Sequence, residues 1–174
     1  IFEKITIQAG FGYNLWKANN PNAKVEGSLV IDNELQQKID KVPKDKFYRI
    51  NEDRIFLNEA IKNIKENPKR YLILYLKKVI SFLFIDIDSS ENNYYNPLHY
   101  IPVLVLGITS IFGIFLSSKK SYNLNYLILI FVLYIMVFSI FALLPRYKLS
   151  IIPLQIIFTG ILLNYIQNKF FKTK

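Results

Sequence analysis

The chain has 174 residues, enough for one domain with a core, yet its mean hydropathy of +0.22 and its 52% hydrophobic content exceed the needs of an ordinary soluble domain. Its net charge of +9 is dispersed, with no nucleic-acid-binding motif beside it, which argues against a DNA or RNA partner. The absence of cysteine excludes disulfides, Cys-ligated metals and thiol nucleophiles, and one histidine, His99, cannot build a metal site alone.

The chain opens on Ile rather than Met and without a signal peptide, so a piece of a longer protein is expected. Residues 1–50 mix polar and apolar groups without a sustained period and are punctuated by Gly10, Gly12, Pro21, Gly27 and Pro43. They are expected to form a loop-rich external segment, with one short strand over Phe2–Gln8 and turns around aromatic anchors from Gly10 to Pro21.

Residues 51–87 are expected to hold an amphipathic helix and an interfacial one. Leu57, Ala60, Ile61 and Ile64 follow helical spacing over 51–66, with Glu52 and Asp53 in the first turn, where the helix dipole favours anions. Asn67-Pro68 then starts a second helix that runs to Phe84. Its mid-run Lys77 and Lys78 oppose spanning, because a cation at the bilayer centre costs ~2.5–3.5 kcal/mol. The helix is therefore expected at the interface, lysines toward headgroups and Tyr71, Leu72, Leu76, Val79 and Phe82 toward lipid or partner helices.

Residues 88–174 are expected to form a three-helix transmembrane region with a short basic cytoplasmic tail. The stretches 92–118, 121–145 and 149–168 carry no formal charge, and each meets the roughly 20 residues that cross a ~30 Å hydrocarbon layer. Asn96-Pro97 caps the first; Gly107 and Gly113 in it allow close helix contacts. Gln155 and Asn164, inside the last run, read as interhelical hydrogen-bond partners. The fold class expected is thus mainly α and integral to a membrane, with three transmembrane helices, an amphipathic and an interfacial helix, and a loop-rich external segment.

Beyond residue 70 there are 9 Lys+Arg against 3 Asp+Glu, and their order sets a topology. Lys119, Lys120, Lys169, Lys172 and Lys174 mark the cytoplasm, against Arg146 and Lys148 outside. Residues 1–98 are then external and the carboxy terminus cytoplasmic, in a bacterial inner or plasma membrane.

No nucleophile–base set can be assembled, and P-loop, HExxH and GxSxG motifs are all missing. Asp86, Asp88 and Glu91 could act as acids or bind a cation, but a solvated linker is the simpler expectation. Arg146 and Lys148 could clamp an anionic headgroup or phosphate, the guanidinium by bidentate geometry and the ammonium as a point charge; the simpler alternative is that they end a helix at the interface.

Taken together, Gly12-Tyr13-Asn14-Leu15-Trp16-Lys17-Ala18-Asn19-Asn20-Pro21, the helix from Asn58-Glu59-Ala60-Ile61 to Glu66-Asn67-Pro68, and Arg146-Tyr147-Lys148-Leu149-Ser150-Ile151-Ile152-Pro153 resemble the carboxy-terminal part of GT-C membrane glycosyltransferases, the dolichyl-phosphate-mannose–protein mannosyltransferase and ArnT-like group. Ala18, Lys148 and Ser150 stand where that family more often has Gly, Arg and Pro. The resemblance implies sugar transfer from a polyprenyl-phosphate carrier to a lipid or protein acceptor on the external face. It implies a catalytic carboxylate upstream of these residues, so no catalytic residue is assigned. Asn19 and Asn20 would sit over the active-site mouth, and Arg146, Tyr147 and Lys148 would meet the carrier. No metal site or cofactor is expected within these residues; whether a longer protein uses a divalent cation is left open. The rival from another class is a non-enzymatic assembly or lipid-interaction subunit.

Overall fold

The structure, a computed structural model, describes residues 10–86, 89, 95–117 and 122–170. Among these it is mainly helical, and an isolated antiparallel bridge between Lys24 and Gly27 stands in place of strands. The strand expected over Phe2–Gln8 lies outside the described residues.

The expectation of turns from Gly10 to Pro21 is corrected. Phe11–Asn19 form a helix, α1. Gly10, at φ +102°, offers no capping side chain, and Asp53 supplies the cap from a distance. Its Oδ2 accepts the Gly12 N–H at 3.0 Å and its Oδ1 the Tyr13 N–H at 2.9 Å. Two orphan donors are thereby satisfied by an anion at the positive end of the helix dipole. The segment also holds α2, Asn33–Asp40, whose first turn is capped by Asp32 through the Leu35 N–H at 2.7 Å.

Helix α3, Tyr48–Glu66, begins three residues before the expected start. Its buried face is Phe56, Ala60 and Asn63, while Ile61 is exposed. Phe56 and Ala60 close a small core with Leu15, Trp16, Leu35 and Ile39.

Asn67 caps α4, Pro68–Leu83, by accepting the Arg70 N–H at 3.2 Å, as expected of Asn-Pro. Its outer face shows Leu72, Ile73, Leu76 and Ile80; its inner face holds Tyr71, Leu74 and Phe82. The expectation that both lysines reach headgroups fails for Lys78, whose exposure is 0%. The α1 carboxy terminus lies against it, and its ammonium donates to Ala18 O at 2.9 Å and Asn19 Oδ1 at 3.4 Å.

The remaining helices are α5 (Pro97–Ser117), α6 (Tyr122–Phe138), α7 (Pro145–Lys148) and α8 (Ile152–Phe170). Of these only α5 is both long and apolar enough to cross a membrane. The apolar part of α6, Leu124–Phe138, is shorter, and α8 is diluted by Gln155, Asn164, Gln167 and Asn168. Helix α5 packs along α8: a Cβ on Gly113 would strike Phe158 O, and the Thr109 and Thr159 hydroxyls meet at 2.9 Å. Phe82, Phe131, Ile135, Leu143, Ile151 and Phe158 form the core between α4, α6 and α8. Residues 19–27 join it, because Asn19 Nδ2 donates to Ile140 O at 3.0 Å and Val25 O accepts the Leu143 N–H at 2.9 Å.

Candidate functional site: an apolar cavity with an ammonium at its edge

The candidate site forms where the end of α4 meets the starts of α5 and α8. Asn96 Oδ1 accepts the Leu98 N–H at 3.0 Å and so starts α5. Pro145 opens α7 at the position where a missing N–H is harmless. From the end of α7, Lys148 Nζ donates to Phe84 O at 2.9 Å, and from α8 Gln155 Nε2 donates to Leu83 O at 3.3 Å. The last carbonyls of α4, which have no partner within their own helix, are thus taken by two side chains from beyond residue 145. Gln155 therefore makes the interhelical bond expected of it, whereas Asn164 accepts from Asn168 on its own helix at 2.9 Å.

Between these elements lies a cavity of about 100 Å³. Its walls are Phe82, Ile85, Val103, Leu106, Leu149 and Ile152; its polar members are His99, Tyr100, Lys148 and Gln155. Burial pulls the Lys148 ammonium down to about 8, partly offset by the Asp86 carboxylate. Asp86 itself is only 5% exposed, which corrects its assignment to a solvated linker; Asp88 and Glu91 lie outside the described residues. The cavity is below the ~300 Å³ lower bound typical of small-molecule pockets, so it suits the end of a chain-like ligand and not a whole sugar. Among the described residues no cluster of His, Asp and Glu could hold a metal ion.

The structure separates the expected site residues into two groups. Arg146, Tyr147 and Lys148 share α7. Tyr147 is half-buried, its ring 5.6 Å from that of Phe138, and it anchors the turn that carries Lys148 to the cavity. Asn19 and Asn20 do not line that cavity. Asn19 Nδ2 is spent on Leu15 O and Ile140 O, while Asn20 Nδ2 donates to Ser28 O at 2.8 Å and its Oδ1 accepts the Asn22 N–H at 2.9 Å. Arg70 grips the same turn by donating to the carbonyls of Asn20, Pro21 and Ala23. Sequence reasoning missed Arg70 and misassigned Lys78 and Asp53: the lysine was expected at headgroups, and the carboxylate in the first turn of its own helix, where it instead caps α1. Comparisons with protein-family models, with curated proteins and with solved structures returned no match to this chain.

Proposed function

We propose that the chain is the carboxy-terminal portion of an integral membrane glycosyltransferase of the GT-C type. It takes a sugar from a polyprenyl-phosphate carrier and gives it to a lipid or protein acceptor on the external face. The observation that carries this reading is the cavity between α4, α5 and α8: apolar walls to receive the first part of a prenyl chain, and the Lys148 ammonium where that chain's phosphate would lie. Supporting it are the motif resemblance at Gly12–Pro21 and Arg146–Pro153 and the apolar exterior of the helices. Ile101, Val105, Phe112 and Phe115 on α5, Leu129, Leu133 and Met136 on α6, and Ile156 and Leu163 on α8 all face outward, as lipid-facing residues do.

In this reading Arg146 and Lys148 neutralise the departing carrier phosphate, Tyr147 holds their turn, and Asn19 and Asn20 shape the external turn above it without touching substrate. Helices α5, α6 and α8 cross the membrane, and α4 lies at its outer surface. The catalytic carboxylate comes from elsewhere in the protein.

The test is transfer from a labelled polyprenyl-phosphate sugar by membranes carrying the whole protein. Arg146→Ala should lower kcat/KM by about 10- to 100-fold, the worth of one charge-assisted hydrogen bond. Lys148→Ala should lose both transfer and stability, because it also uncaps α4. Wild-type membranes that transfer no sugar from any polyprenyl-phosphate donor would instead identify a non-enzymatic membrane subunit.

A further inference from the structure

A second and larger concavity lies in the external segment, away from the α4–α5–α8 cavity. It opens between α1, α2 and the start of α3 with a volume of about 740 Å³. We propose that this groove binds a neutral oligosaccharide.

Its lining combines half-buried aromatic rings with planar hydrogen-bonding groups. Tyr13, set perpendicular to Phe56 with ring centroids 5.1 Å apart, forms one wall together with Ile39, and Tyr48 stands on the wall from α3. Gln36 Nε2 donates to Asp40 Oδ1 at 2.8 Å, which leaves the second Asp40 oxygen for a ligand, and the exposed Arg49 presents its guanidinium fork. Asp53 is not part of the binding set, since both its oxygens cap α1.

Charge decides against ionic ligands. Three carboxylates (Asp40, Glu52, Asp53) face two cations (Lys44, Arg49), so the groove has no single-sign field to hold a phosphate or a basic peptide. A peptide that binds by adding a β-strand would need a strand edge, and the described residues contain no strand. Carboxylate and guanidinium groups, each of which can bridge adjacent hydroxyls, beside ring surfaces that can cover C–H faces, fit a sugar chain. The size falls in the ~300–1,000 Å³ range of ligand sites.

The chain's one tryptophan provides the reporter. Trp16 lies 4.9 Å from Phe56 and 6.1 Å from Tyr13, ring to ring, directly behind the groove. The purified protein, in a detergent without a sugar headgroup, is titrated with cellobiose, maltotriose, mannobiose and chitobiose, and with sodium phosphate and tetralysine. At least one saccharide should produce a saturable change in Trp16 emission. Asp40→Asn and Arg49→Ala, both exposed and so without effect on the melting temperature, should each weaken it by about tenfold. Saturation by phosphate or tetralysine instead, or saccharide binding unchanged in both variants, overturns the proposal. So does emission that responds to none of the saccharides. Arg146→Ala should leave the titration intact, so failure here and failure of the transfer reading are distinguishable.

Discussion

Lys78 is the residue whose chemistry is most tightly constrained. It is wholly buried, its ammonium bonds two oxygens at the end of α1, and the Arg70 guanidinium repels it. Burial first, and Arg70 second, pull it down to about 7. The unfolded chain, with an ordinary lysine, binds more protons than the folded one between about pH 7 and 10.5, so stability must rise with pH across that window. Below pH 7 the full penalty of a buried cation is present; above it the neutral amine keeps both hydrogen bonds. In Lys78→Met this titration is gone. Thermal unfolding at pH 6.5, 8 and 9.5 should therefore show the wild-type advantage over the variant growing with pH; a constant difference would mean that Lys78 is not desolvated. At high pH the variant should be the weaker by about 1–3 kcal/mol, since Ala18 O and Asn19 Oδ1 are left buried and unpaired.

At the scale of elements, close helix approach is set by glycine, and two positions in the same packed pair should respond in opposite ways. Gly113 on α5 presses against the backbone of Phe158 on α8, so any Cβ requires one helix to move. Gly160, on α8 itself, has nothing within 4 Å of an added Cβ. Gly113→Ala should cost about 1–3 kcal/mol as overpacking, while Gly160→Ala should be neutral or gain up to about 1 kcal/mol from helix propensity. Melting temperatures in micelles compare the two directly. The close contacts expected of Gly107 and Gly113 were legible because both lie in an uncharged helical run. Their partners were not: Gly107 meets Leu83 O of α4, and Gly113 meets α8.

For the whole molecule the proposed topology gives a measurement that no single helix can. The chain lacks cysteine, so one introduced thiol reports one position. With α4 at the surface, Asn93→Cys should react with a membrane-impermeant maleimide added outside intact cells, and Lys120→Cys should react only after the membrane is opened. Labelling of both from one side would remove α5 from the membrane, and the reverse pattern, with Lys120→Cys labelled outside and Asn93→Cys only after opening, would place α4 across it. The charge order that supports this arrangement, five cations on one side and two on the other, is a property of the composition of the short loops and not of their packing.

Sequence alone was enough for whatever depends on neighbours a few residues away: the Asn67-Pro68 and Asn96-Pro97 helix starts, the end of α3 though not its first turn, the extent of α4, and the mainly helical class. Helical period and caps act over one or two turns, so local residues determine them. What only the tertiary structure decided rests on contacts far apart in the chain. Helix α1 is capped from 41 residues away by Asp53, Lys78 is buried against Ala18 across 60, and Lys148 reaches Phe84 across 64. Each of these joins a polar side chain to a backbone group whose position exists only once two helices have docked. A lysine expected at a headgroup and a turn expected around aromatic anchors therefore became a buried strut and a helix.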